Sequence, residues 1–240
     1  MKGNVARGAS YLTRGARMLN HPSLRLFVII PLLVNILIFG SLITLGFSYI
    51  SDAMDSMLSR IPSWLNFIRW ILWPLIVITV SLATGFLFTT IALIIASPFN
   101  ALLAEKAEEL ITGGPVDSLE GFGAAVLAIP KSILRELAKL VYYIPMALFA
   151  VLLSFIPGVG AIAWLVLAAW MMSIQFVDYP MDNHQLSFSD VKEAVRRRRL
   201  SSMGFGGLVA LCASIPVINF VVVPAAVVGA TLLWCEELNQ

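Results

Sequence analysis

Arg25 stands at the edge of a long uncharged stretch, inside the segment NHPSLRLFVIIP. Pro22 suits the first turn of a helix, because the N–H it lacks is one that a helix start leaves unbonded anyway. Ser23, Leu24 and Arg25 then offer backbone N–H groups at the positive end of the helix dipole, and the Arg25 guanidinium adds charged donors beside them. Such a set suits an oxyanion. The same side chain suits a second role, an anchor whose charged tip reaches the lipid headgroups. Residue chemistry alone leaves both open.

Other polar residues lie within or beside apolar stretches, where an ionisable or amide side chain is a functional candidate by default. Asn35, Asn100 and Asn219 each need partners or water at such depth. They line a polar pathway in one reading and hydrogen-bond helix to helix in the other. Glu105 follows Asn100 closely, either facing the mouth of that pathway as a proton carrier or standing as an interfacial charge.

The remaining chemistry is sparse. The chain has no GxxxxGK[ST] loop, HExxH, GxSxG or clustered His/Cys set, which disfavours a nucleotide-driven pump and a hydrolase. The protein is therefore expected to be no enzyme and to need no metal, cofactor or nucleic acid. His184 is a lone imidazole and reads as a polar interfacial residue. Cys212 and Cys235 lack ligand spacing and read as small membrane-embedded hydrophobes. Arg196, Arg197, Arg198 and Arg199 sweep around a helix, so they cannot all face one ligand. Lipid phosphates suit them better, with collection of anions near a pore as the second reading.

The elements that position these residues follow from composition. Of 240 residues 59% are hydrophobic and 12% charged, and mean hydropathy is +0.90, more apolar surface than a soluble domain of this size can bury. Residues 26–50, 70–104, 140–177 and 200–235 carry no charge, and each stretch exceeds the ~20 residues needed to cross a bilayer. An all-α integral membrane protein is expected, as one membrane domain over 1–240. The glycine-rich basic start is expected to be mature sequence. Residues 1–25 hold Lys2, Arg7, Arg14, Arg17 and Arg25 and no acid, so the positive-inside rule places that end in the cytoplasm. Transmembrane helices over 26–50 and 70–104 then return the chain to cytoplasmic polar segments at 105–139 and 178–199.

The last two apolar stretches are too long for one span and barely long enough for two. Ile156-Pro157-Gly158-Val159-Gly160 interrupts the first, and Ile215-Pro216-Val217-Ile218-Asn219 the second. Neither tip carries the polar residues of a turn meant for water. A re-entrant helical hairpin, its tip inside the bilayer, is one solution, tolerated where the irregular backbone is buried or lines a cavity. Two closely spaced spanning pairs are the other, and both return the carboxyl terminus to the cytoplasm. Paired interrupted segments are a pointer to a transport site.

Between the hairpins, Asp178-Tyr179-Pro180 ends an arm, and Asp190 with Glu193 has capping-box spacing. A helix running from Trp70 to Ile111 would be ~63 Å long. It projects beyond the membrane or breaks at Ser97-Pro98, with Gly113-Gly114-Pro115 as its stop.

The stretches HPSLRLFVIIPLLVNILI, SPFNALLAEKAEELITG, SFIPGVGAIAWLVLAAWMMSIQFVDYPMDNH and IPVINFVVVPAAVVGATLLW together resemble the CysZ sulfate permease family of bacterial inner membranes. The resemblance extends from about Ala16 to Trp234. It implies inward sulfate movement for cysteine biosynthesis, two long transmembrane helices with two pairs of helices that only partly penetrate the bilayer, and a homo-oligomer in contact with membrane lipid. A Gly-Leu-Arg-Arg-like stretch associated with sulfate in the family maps onto Ser23, Leu24, Arg25 and Leu26. Serine stands in place of the glycine and Leu26 in place of the second arginine. The alternatives kept beside sulfate uptake are a membrane scaffold that transports nothing and a transporter of another small oxyanion such as sulfite or thiosulfate.

Overall fold

The computed structural model describes residues 3–34, 36–37, 40–41, 44, 66–116 and 129–239. Asn35 lies outside them, as does much of the 26–50 stretch. The described residues form helices and turns without strands. They divide into two compact units, one of residues 1–29 with 97–240 and one of residues 30–96.

In the first unit, α1 is Val5–Met18, capped by the Asn4 side chain, which accepts from the Ala6 and Arg7 N–H groups. Its buried residues, Gly8, Tyr11, Leu12 and Gly15, are spaced i, i+3, i+4, i+7 and form one stripe. After a short turn, α2 begins at Pro22 as the helix Pro22–Val34. α3 is Asn66–Thr112, its last part in this unit. It runs through Pro98 without interruption, so the break considered at Ser97-Pro98 is absent. The helix ends where Gly113 takes φ +74°, a conformation that favours glycine.

α4, Ile129–Leu153, and α5, Val159–Asn183, flank the first apolar tip, where Gly158 sits at φ +81°. α6 is Phe188–Arg197, α7 Arg199–Ala213 and α8 Pro216–Leu233, followed by a π turn over Trp234–Leu238. The helix breaks thus fall at the Pro157-Gly158 and Ile215-Pro216 interruptions. The capping box of α6 is formed by Ser187 and Asp190, one turn earlier than the Asp190 and Glu193 pair expected. The Asp190 N–H donates to the Ser187 hydroxyl and the Ser187 N–H to the Asp190 carboxylate, and the helix they start buries Val191, Ala194 and Val195.

Among the described residues three helical stretches are long and apolar enough to cross a membrane, Ile133–Leu153, Val159–Asn183 and Ile218–Leu238. Only 17% of the first is covered by the rest of the protein, against 67% of the last, which makes α8 the central helix. α1 packs on α7 and α8, while α5 packs on α4, α7 and α8. Glycine permits the closest of these approaches. A methyl group at Gly8 would overlap the Ser201 carbonyl, and one at Gly15 the Ala225 carbonyl.

Candidate functional site

The start of α2 is built by α1 and the turn after it. The Asn20 N–H donates to Arg17 O at 3.3 Å and the His21 N–H to Met18 O at 2.9 Å, so the turn is bonded directly to α1. Leu24 is fully buried in the core, whereas Ser23 and Arg25 are exposed. One side chain therefore fixes the first turn while its neighbours face outward. The Arg25 Nε–H donates to Asn20 O at 3.1 Å, which holds the guanidinium beside the helix start.

The amides that sequence reasoning counts as unpaired have local partners. The Ser23 N–H donates to His21 Nδ1 at 3.3 Å, and the Leu24 N–H to His21 O at 3.0 Å. The Ser23 N–H is open to another acceptor only where the His21 imidazole gives it up. His21 carries a role that the sequence reading did not assign; its place directly before Pro22 was the available signal.

The remaining candidates occupy separate surroundings. The Asn100 side chain donates to the Tyr179 hydroxyl at 3.3 Å, joining α3 to α5, and Asn183 donates to Ala101 O at 3.0 Å along the same seam. Asn100 thus has the helix-to-helix hydrogen bond that was one of its two readings. Glu105 is partly buried, with Lys106 Nζ 4.0 Å away. One turn on, Glu108 is more deeply buried, and its Oε1 lies 2.8 Å from His184 Nε2. His184 is therefore a partner of Glu108, and among the described residues no group of three metal-ligating side chains forms. Asn219 is exposed beside the second tip, in the first turn of α8.

Two charge clusters escaped the sequence reading. In the first, Arg135 on α4 meets Asp178 through Nε at 2.7 Å and Nη2 at 2.6 Å, and Asp182 through Nη1 at 2.7 Å. Lys139, only 3% exposed along its side chain, contacts Asp178 Oδ2 at 2.6 Å and Glu136 at 2.7 Å. Residues 135 and 139, like 178 and 182, are four apart, so each pair shares one helix face. That spacing was visible; which face meets which was not. In the second cluster, Arg7, Tyr11 and Arg14 of α1 meet Glu236 and Glu237 of the π turn.

The family described as Sulfate transporter CysZ/Etoposide-induced protein 2.4 matches residues 11–224, a span that takes in the start of α2 and both apolar tips. The chain belongs to this family. Proteins named Sulfate transporter CysZ are similar over almost their whole length. That of Pseudomonas fluorescens is 42% identical over 240 residues, 99% of this chain and 96% of its own. That of Pseudomonas aeruginosa is 43% identical over 238 residues, 97% of this chain and 96% of its own. The Vibrio cholerae protein is 40% identical over 236 residues, 97% of this chain and 94% of its own. The part matched by the CysZ family ends within α8, so the π turn and its two glutamates lie beyond it.

Proposed function

We propose that the chain carries sulfate into the cytoplasm across the bacterial inner membrane, supplying sulfur for cysteine biosynthesis, and that Ser23, Leu24 and Arg25 form its sulfate site. The observation that carries the site is the pairing of a fully buried Leu24 with an exposed Arg25 whose Nε is tied to Asn20 O. That geometry presents a guanidinium at the positive end of a helix with little freedom left to lose. Sulfate holds no proton at neutral pH, so a site made only of donors satisfies it, whereas hydrogen phosphate gains from an added acceptor. The similarity to proteins named Sulfate transporter CysZ supports the same substrate.

In this reading the α4–α5 and α7–α8 pairs are re-entrant hairpins of a homo-oligomer embedded in membrane lipid. Asn35, Asn100, Glu105 and Asn219 are proposed as polar-path residues, each on its own, and both termini as cytoplasmic. Without a nucleotide-binding loop, movement follows the sulfate gradient or an ion gradient. The test is sulfate binding by the purified protein and its Arg25→Ala variant, with sulfite, thiosulfate and phosphate as competitors. Loss of binding in the variant is expected. Equal binding in both would return Arg25 to lipid anchoring.

A further inference from the structure

The π turn at the end of the chain reaches back to the helix that leads into the start of α2. Its wide loop, closed by the Asn239 N–H on Trp234 O at 3.0 Å, turns two successive glutamates toward α1. The Tyr11 hydroxyl lies 3.1 Å from Glu236 Oε2 and 3.1 Å from Glu237 Oε1. Arg14 forms a fork on Glu236, with Nη1 at 3.0 Å from Oε2 and Nη2 on Oε1. Arg7 Nε lies 3.1 Å from Glu237 Oε1, and the Ser201 hydroxyl donates to Glu237 Oε2 at 2.7 Å. Glu237 is only 6% exposed, yet its carboxylate is bonded from α1 and α7 together.

This latch bears on where α1 sits along its own axis. Two of the four buried positions of α1 are glycines, so Tyr11 and Leu12 are the buried side chains that project into the neighbouring helices, with Ala16 and Met18 packed at the margin. A contact of that kind permits close approach but resists sliding weakly. The Tyr11 hydroxyl and the Arg14 fork supply fixed points. From α1 the chain is bonded without a break into the start of α2, through Asn20 on Arg17 and His21 on Met18. Asn20 O holds the Arg25 guanidinium, and His21 holds the Ser23 and Leu24 amides.

We infer that Glu236 and Glu237, through Arg14 and Tyr11, are positioning residues for the anion site at the start of α2. The inference rests on the reading of Arg25 as a sulfate donor. A shift of α1 displaces Asn20 and His21 together, and with them every donor of that site.

A double-mutant cycle on sulfate binding tests it, using Arg14→Ala, Glu236→Ala and the combination, with Arg25→Ala measured alongside. Each single latch variant is expected to raise the sulfate Kd, and the KM of uptake in liposomes, by about three- to tenfold with little change in maximal rate. The combined variant is expected to be no weaker than the weaker single, because the pair acts as one unit. A purely structural latch would lower thermal stability and leave Kd where it was. Arg14→Lys keeps the charge but not the fork, and is expected to raise Kd by about two- to threefold; it carries the test if an alanine variant fails to fold. Wild-type Kd in the latch variants, with binding lost in Arg25→Ala, overturns the positioning role alone. Wild-type Kd in Arg25→Ala overturns the sulfate-site reading beneath it.

Discussion

Arg25 is held by a backbone carbonyl and Leu24 beside it by the core, so the side chain that faces outward is already oriented. Replacing it with alanine removes charged donors, a loss of about 1.5–3 kcal/mol in anion binding, or roughly ten- to hundredfold in Kd. Titration of purified protein with sulfate measures this directly. Arg25→Lys is expected to recover only part of the loss, because an ammonium cannot form the planar fork. The Arg25 setting was legible in the sequence, since Pro22, the helix start and the adjoining apolar stretch are local signals. The partners of Ser23 and Leu24 were not, because whether an imidazole folds back onto the next turn depends on the turn itself. The Arg135, Lys139 and Asp178 cluster was still less legible, as its members meet across 43 residues of chain. Asp178→Ala leaves Arg135 with Asp182 and Lys139 with Glu136 as their remaining carboxylates, each short of one charged contact, and is expected to lower stability by about 1–3 kcal/mol, read as an earlier thermal transition in detergent.

At the scale of the element, breakers gave the clearest signals. Pro157-Gly158, Ile215-Pro216 and Gly113 each stand where a helix begins or ends. Pro98 shows the limit of that logic, since α3 continues through it. The start of α6 falls three residues before the expected one, because Ser187 and Asp190 close the capping box there. Ser187→Ala is expected to cost about 1 kcal/mol of local stability, checked by hydrogen exchange of the α6 amides. Bonds from the Ser187 hydroxyl and N–H hold Asp190 below the usual carboxylate range. A lowered folded pKa means that this stabilisation is complete above the ordinary Asp value of ~3.9 and is lost as pH falls through the folded one. Protection of α6, corrected for intrinsic exchange, should therefore drop on acidification in the native protein and less so in Asp190→Asn. The α1 seam obeys sterics. Gly15→Val pushes a branched side chain into the Ala225 carbonyl and is expected to separate α1 from α8, with loss of protection in α1.

For the whole molecule, composition alone established a chain made for the bilayer, and interrupted apolar stretches indicated where its helices turn. Composition did not reveal that the two ends of the chain meet, with Tyr11 and Arg14 on glutamates more than 220 residues away. Such pairings follow from helix packing, which a single sequence does not encode in any local pattern. This one polypeptide is expected to move sulfate, with Arg25 admitting it. Radiolabelled sulfate uptake into liposomes containing only this protein, under an imposed sulfate gradient, tests that most directly. Saturable uptake is predicted, falling by about tenfold or more in Arg25→Ala at equal incorporation and subsaturating sulfate. Absence of uptake under any imposed gradient, or equal uptake by both proteins, would contradict it.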